Sequence, residues 1–150
     1  MVKIAEPAVL LEEYRRLLQT EDAITALPLQ VSGNSMSPFL AHGRDTVYLS
    51  RLTRPPRRGD ILLYRRDNGS YVLHRVHRGT EESLTLCGDG QVLPEPGIRP
   101  DQVIACVSAV CRRGKTLRPG DLSWDFYEKI WPRLRLPRMA LSVLRRRLGL

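Results

Sequence analysis

The chain has 150 residues, of which 42% are hydrophobic and 27% are charged. These proportions fit one globular domain with its own core, and they exclude a disordered or low-complexity chain. No apolar stretch approaches the roughly 20 residues that a membrane-spanning helix needs, and the N-terminal residues lack the apolar segment of a secretory signal. We therefore expect a cytoplasmic protein, and we expect any contact with a membrane to be peripheral.

The net charge of +8 is concentrated near the C-terminus. Residues 126–150 contain seven basic side chains and one acidic side chain, whereas residues 1–125 have a net charge of only +2. The three cysteines, Cys87, Cys106 and Cys111, have no CxxC spacing and no nearby pair of histidines. We interpret them as reduced thiols, and we expect neither a metal ion nor a cofactor.

Residues 1–26 are predicted to form an N-terminal helical segment. Pro7 is tolerated in a first helical turn, and the apolar side chains that follow recur at helical spacing. We expect these side chains to pack on the rest of the domain. They are Leu10, Tyr14, Leu17 and Leu18.

Residues 27–111 are predicted to form a β domain, because short apolar runs alternate there with turn residues. Asn68-Gly69 is the residue pair that a type I′ turn favours, so residues 60–66 and 71–78 are predicted to form a hairpin. Two prolines and a glycine predict a loop over residues 93–97. The predicted strands cover residues 46–50, 61–64, 71–76, 84–87 and 103–110.

Residues 112–150 are predicted to be a linker followed by a basic tail. Pro132 and Pro137 interrupt this segment, and residues 138–148 have the pattern of a short amphipathic helix. Its apolar stripe and arginines suit an anionic membrane surface. Packing of the stripe on the domain explains the pattern equally well, and nucleic acid is the less favoured partner.

Residues 32–38 follow a strand-like run and have the sequence Ser-Gly-Asn-Ser-Met-Ser-Pro. Gly33 lets the backbone turn tightly, which allows the hydroxyl of Ser35 to project into a groove. A free serine hydroxyl is a weak nucleophile, so it needs a base within hydrogen-bond reach. Ser35 is therefore the candidate nucleophile, and another part of the chain must supply the base.

Three histidines are available as that base. His42 lies in a turn, where a solvated side chain is the simplest interpretation. His74 shares one face of a predicted strand with Val72 and Val76, whereas His77 points to the other face. Partial burial among valines favours the neutral, proton-accepting form of an imidazole. His74 is therefore the candidate base.

Four short segments combine these residues in a recognisable order. They are Gly33-Asn34-Ser35-Met36-Ser37-Pro38, Arg58-Gly59-Asp60-Ile61-Leu62-Leu63-Tyr64, Tyr71-Val72-Leu73-His74-Arg75-Val76 and Cys87-Gly88-Asp89-Gly90. Their order and spacing resemble the superfamily of signal peptidase I and LexA-like serine peptidases. The resemblance implies a mainly β, signal-peptidase-like fold in which the Ser-Met segment begins the active-site strand and a hairpin strand carries the base.

The resemblance also implies roles for individual residues. The His74-Arg75 pair is similar to the branch that uses histidine rather than lysine as the base of Ser35. Asp89 matches an aspartate that helps to orient or polarise the site in that branch, although the chain continues with Gly90 where the family usually has asparagine. The substrate strand and the oxyanion hole would be formed by Gly33, Asn34, Ser35 and Met36.

The expected function is therefore that of a serine endopeptidase. Its expected substrate is a precursor peptide or protein from which a leader or signal-like segment is removed. A catalytically inactive module that binds peptides is one alternative, and a self-processing LexA-like regulator is another. The regulator is disfavoured because only about 26 residues precede the β domain, too few for the usual helix-turn-helix, and because the base is not lysine.

Overall fold

The computed structural model describes residues 7–20 and 26–149, so residues 1–6 and 21–25 of the predicted N-terminal segment lie outside it. The expectation of a mainly β fold is confirmed, since the described residues form one antiparallel sheet with helices before and after it. The strands are β1 (Leu27–Gln30), β2 (Asp45–Ser50), β3 (Ile61–Arg65), β4 (Tyr71–Gly79), β5 (Leu84–Cys87), β6 (Glu95–Ile98), β7 (Val103–Arg112) and β8 (Lys115–Leu117). The helices are α1 (Pro7–Gln19), α2 (Leu122–Asp125) and α3 (Arg135–Leu148), with short 3-10 or π turns at Pro100–Gln102, Phe126–Ile130 and Trp131–Leu134.

The strands follow the order β1-β2-β7-β3-β4-β5-β6 across the sheet, and β8 pairs with β7. β4 therefore lies between β3 and β5. It pairs with β3 over Tyr71–Arg75 and with β5 only over Arg75–Gly79. The start of β4 thus has no β5 partner on one side.

Each face of the sheet carries an apolar core cluster. Leu62 and Leu63 are successive residues of β3 and belong to different clusters, so this strand is buried on both faces. The first cluster contains Leu11, Leu18, Val31, Met36, Phe39, Leu40, Val47, Leu49, Ile61, Leu63, Ala105, Val107, Val110 and Trp124. The second cluster contains Leu62, Tyr64, Val76, Leu84, Leu86 and Ile98.

The predicted hairpin is confirmed, but its turn is not of type I′. That turn requires positive φ at both central residues, and Asn68 is not among the residues with positive φ. The Gly69 N–H donates to the Arg66 carbonyl (2.9 Å), and the Arg66 N–H donates to the Ser70 carbonyl (2.8 Å). Asp67 and Asn68 therefore form the centre of the turn, and Gly69 follows them with a φ of +88°.

The prediction of a loop over residues 93–97 is wrong in its second half. Glu95–Ile98 forms β6, which pairs with β5 and is the last strand at that end of the described sheet. An edge strand tolerates Pro96, because the outer side of such a strand has no neighbour that needs an N–H donor. Because β6 pairs with β5, Glu95 lies opposite Leu86, a residue of the second core cluster.

α1 confirms the predicted helix, with a different buried face. Leu11 and Leu18 are buried in the first core cluster and Tyr14 packs against it, whereas Leu17 is 41% exposed. The Tyr14 hydroxyl donates to the Pro28 carbonyl (2.7 Å) and ties α1 to β1.

Residues 112–149 are attached to the domain more closely than a linker would be. β8 adds to the sheet, and the buried Trp124 ring meets the Phe39 ring edge-on with 5.5 Å between centroids. α3 begins at Arg135, three residues earlier than predicted. Pro137 lies in its first turn, where a proline leaves no hydrogen bond unmade.

Candidate active site

Ser35 lies in a turn between β1 and β2. The Ser37 N–H donates to the Asn34 carbonyl (3.0 Å), and the Leu40 N–H donates to the Met36 carbonyl (2.9 Å). These bonds close local turns and do not form a ladder with another strand. This segment consists of Gly33, Asn34, Ser35 and Met36, and it forms a turn rather than the predicted strand. Its predicted contact with the substrate stays a prediction.

The backbone of Ser35 packs directly on the loop that follows β5. The Gly90 N–H donates to the Ser35 carbonyl (2.9 Å). A Cβ atom at Gly88 would overlap that carbonyl, and a Cβ atom at Gly90 would lie 2.7 Å from the Ser37 carbonyl oxygen. Glycine at both positions permits this close approach of two backbones. The candidate nucleophile therefore rests on Gly88 and Gly90.

His74 lies beside this contact. In the pairing of β4 with β5, Arg75 is opposite Cys87, the last residue of β5, so Gly88 follows the strand at the level where His74 precedes Arg75. The space that a Gly88 side chain would fill is occupied by the Ser35 carbonyl. The Ser35 backbone therefore packs against the residue that follows β5, and the partner of Arg75 in β5 is only one residue away along the chain.

A chain of polar groups engages the Nδ1 atom of His74. The Tyr64 hydroxyl donates to Glu95 Oε2 (2.6 Å), and its oxygen lies 3.1 Å from His74 Nδ1. Tyr64 has one hydroxyl proton and donates it in the hydrogen bond to the Glu95 carboxylate. The Tyr64 oxygen must therefore accept the hydrogen bond from His74, whose Nδ1 carries the proton. This tautomer leaves the lone pair of the imidazole on Nε2, which is the atom that a base needs.

The charges of this cluster suit a neutral base. Burial lowers the pKa of His74 to about 4, against an opposing effect of the Glu95 charge. Arg66 donates to the Glu95 carboxylate through Nε (2.9 Å) and Nη2 (2.8 Å), and it holds the pKa of Glu95 below its ordinary value. Burial raises the pKa of Tyr64, as does its hydrogen bond to Glu95. At neutral pH the imidazole is uncharged, the phenol is protonated and the carboxylate is ionised.

Asp89 is paired with Arg75 and not with His74. Arg75 donates through Nε and Nη2 to the two carboxylate oxygens, each at 2.8 Å, and through Nη1 to the Gly59 carbonyl (2.9 Å). His74 and Arg75 are successive residues of β4, so their side chains leave the strand on opposite faces. Asp89 therefore makes no contact with the candidate base in this structure, and its predicted role in orienting or polarising the site stays a prediction. Asp89 instead fixes the glycine loop on which Ser35 rests.

The Ser35 turn also offers a hydrogen-bond donor. Within the described residues, neither the hydroxyl nor the N–H of Ser35 makes a hydrogen bond. The side chain of Met36 is 2% exposed and anchors the turn in the first core cluster. The Gly33 N–H donates to His42 Nδ1 (3.1 Å), which explains His42 as a structural residue. The Ser35 N–H is thus held in place and free to donate to an oxyanion.

Tyr64 and Glu95 are functional candidates that the sequence analysis missed. Prolines on both sides of Glu95 are typical of a loop, so the sequence pattern did not predict the strand that contains Glu95. Tyr64 lies two residues after Leu62, which pairs with His74 in the structure, but the turn predicted at Asn68-Gly69 would set Tyr64 on the other face. Side chains two residues apart in a strand share a face.

Comparison of the chain with models of known protein families and with curated proteins finds no match. None of the helices in residues 7–20 and 26–149 is long and apolar enough to cross a bilayer. The candidate site is therefore defined by its own geometry.

Proposed function

We propose that the protein is a serine endopeptidase in which Ser35 is the nucleophile and His74 is the general base. Nε2 of His74 takes the proton of the Ser35 hydroxyl while the hydroxyl oxygen attacks a peptide carbonyl. The imidazolium then gives this proton to the departing amine, and an acyl-enzyme forms on Ser35. A water molecule, deprotonated by His74 in the same way, attacks the ester and releases the new carboxyl terminus.

Backbone and side-chain groups stabilise the charges that develop in these steps. The Ser35 N–H donates to the oxyanion of the tetrahedral intermediate, and loss of one such donor typically costs about 10² to 10³ in rate. Glu95 Oε2 lies 4.0 Å from His74 Nδ1. A carboxylate at this distance favours the charged imidazolium over the neutral ring. The intervening Tyr64 oxygen accepts the hydrogen bond from Nδ1 in every step of the reaction.

An extended peptide fits the unpaired edge at the start of β4. Tyr71–Leu73 pairs with β3 on one side, and β5 pairs with β4 only from Arg75 onward. Free N–H and C=O groups on a strand edge bind an added strand. A peptide docked there runs directly toward His74. The resemblance to signal peptidases favours a leader or signal-like segment of a precursor peptide or protein as the substrate.

The observation that carries the proposal is the contact of the Ser35 backbone with Gly88, next to the strand that carries the buried His74. A peptide-binding module that does not cleave is the second candidate. It is favoured by the observation that no hydrogen bond joins the Ser35 hydroxyl to His74 within the described residues. Such bonds are often long in enzymes without substrate, so the two candidates differ in the reactivity of Ser35.

A fluorophosphonate probe tests that reactivity without a known substrate. Attack by Ser35 on phosphorus displaces fluoride and leaves a phosphonate ester, which mass spectrometry assigns to a residue. We expect the adduct on Ser35, and we expect Ser35→Ala to abolish it while Ser32→Ala, at an exposed serine of the same segment, keeps it. His74→Ala should slow labelling by about 10² to 10⁴, whereas His77→Ala should not.

The same variants then test the substrate class. Precursor peptides with small side chains near the expected cut are incubated with the protein, and the products are weighed by mass spectrometry. Cleavage should occur in wild type and stop in Ser35→Ala. Peptide binding with neither cleavage nor Ser35 labelling would establish the module that only binds.

A further inference from the structure

α3 is an amphipathic helix whose orientation is the reverse of the usual one. A surface helix normally packs its apolar stripe on the core and presents its polar face to water. The stripe of α3 follows helical spacing, and its members are all exposed, with Leu136 at 69% and Leu144 at 52%. We call this surface the α3 stripe, and its apolar members are Leu136, Met139, Ala140, Val143 and Leu144. Arg147 lines the same surface at its C-terminal end.

Arginines on the other side of α3 attach it to the domain. Arg138 Nη1 donates to the Asp89 carbonyl (2.7 Å), and its guanidinium lies 4.3 Å from the centroid of the Trp131 ring. Trp131 Nε1 donates to the same carbonyl (2.7 Å). Arg135 and Arg138 line a small pocket with Cys87, and each has a buried guanidinium nitrogen without a hydrogen bond there. The side of α3 that carries Arg135 and Arg138 thus faces the domain, which leaves the α3 stripe outside.

The chain around the α3 stripe is uniformly basic. Residues 129–150 contain seven lysines and arginines and no aspartate or glutamate. Three of the arginines, Arg145, Arg146 and Arg147, form the last turn of the helix. An anionic lipid surface matches both features, because acyl chains accept the apolar stripe and headgroup phosphates accept the cations.

We propose that α3 binds the surface of an anionic membrane through the α3 stripe. The helix has 14 residues and is therefore about 21 Å long, so it lies along the membrane plane. A second copy of the chain is a poorer occupant of the stripe. Two facing stripes would bring two sets of arginines together with no acidic residue to compensate their repulsion.

Vesicle sedimentation of the full chain tests this proposal. We expect the protein to sediment with vesicles of phosphatidylglycerol and phosphatidylcholine at least about tenfold more strongly than with phosphatidylcholine alone, and added salt should weaken the binding. Val143→Glu places a charge in the α3 stripe and should reduce binding at least about tenfold. Ser142→Glu adds the same charge at the next exposed position, outside the stripe, and should reduce it less than about threefold. Circular dichroism verifies that both variants are folded.

Equal effects of the two variants, or equal binding to both kinds of vesicle, would overturn the proposal. So would a concentration-dependent increase in mass, without vesicle binding, that Val143→Glu abolishes, since it would identify a second copy as the occupant. Ser35→Ala should bind vesicles as wild type does, because the membrane contact does not depend on the proposed peptidase activity.

Discussion

His74 and Arg75 are neighbours in the chain and both are buried, yet they belong to polar clusters on opposite faces of β4. His74 meets the Glu95 carboxylate only through an intervening tyrosine hydroxyl, with 4.0 Å between Nδ1 and the nearer carboxylate oxygen. Arg75 binds both oxygens of Asp89 directly, at 2.8 Å. The first cluster contains a neutral group that is able to gain a proton, whereas the second contains two charges that already compensate each other.

The two clusters show how strand alternation divides two tasks between adjacent residues. One face of β4 holds a proton acceptor in a fixed tautomer. The other face clamps the glycine loop that supports Ser35, so one strand positions both the proposed base and the loop beneath the proposed nucleophile. Substitutions on the two faces are therefore expected to have different consequences, one for chemistry and one for folding.

The largest expected effect is on the Arg75 face. Asp89→Ala leaves the buried guanidinium of Arg75 without its partner, which typically costs about 3 to 5 kcal/mol of stability. Urea unfolding monitored by circular dichroism measures this loss. Asp101→Ala is the matched control, because Asp101 pairs with Arg99 at the surface, where an ion pair contributes about 1 kcal/mol or less. Similar losses in both variants would contradict the assignment of Asp89 to a structural clamp.

A somewhat smaller effect is expected from the titration of His74. The unfolded chain binds a proton at this histidine below pH 6.5, whereas the folded chain binds it only near pH 4. Stability should therefore fall as the pH drops from 6.5 to 4, by up to about 3 kcal/mol from this group. Urea unfolding at several pH values should show a weaker fall for His74→Gln than for wild type and His77→Gln. A His74 pKa near 6.5 by NMR titration would contradict the buried, neutral base.

The smallest expected effect concerns Glu95, which acts on His74 through Tyr64. Glu95→Gln should slow labelling of Ser35 by about 10- to 100-fold, less than the roughly 10⁴ lost when an acid bonded directly to the base is altered. It should also lower the His74 pKa further, since the Glu95 charge raises that pKa. Glu82→Gln, at an exposed position, should change neither quantity. An unchanged labelling rate in Glu95→Gln would show that the two faces of β4 do not differ as described.

Local periodicity was sufficient to predict α1, the hairpin and the face of β4 on which His74 lies. The hairpin register was not predictable in the same way. A two-residue turn at Asn68-Gly69 would set Tyr64 opposite Leu73, on the Arg75 face of the hairpin. The longer turn sets Tyr64 opposite Val72 and therefore on the His74 face. A shift of one residue exchanges the faces of a strand, so the partner of the base depends on the turn.

Two other features depend on tertiary context that a sequence pattern does not contain. Glu95 lies in an edge strand, where the flanking Pro94 and Pro96 are tolerated although they are typical of loops. The spacing of apolar residues predicted the helix α3, but it did not show which side packs on the domain. The arginine contacts with the Asp89 carbonyl and Trp131 decide that orientation.

A crystal structure of the phosphonate adduct tests the proton transfer between Ser35 and His74 most directly. We expect phosphorus bonded to Ser35 Oγ, with His74 Nε2 within about 3.2 Å of that oxygen and Nδ1 still hydrogen-bonded to the Tyr64 oxygen. An adduct on another residue would contradict the proposed role of Ser35. So would an Nε2 that lies more than roughly 5 Å from Ser35 Oγ, beyond the reach of a hydrogen bond.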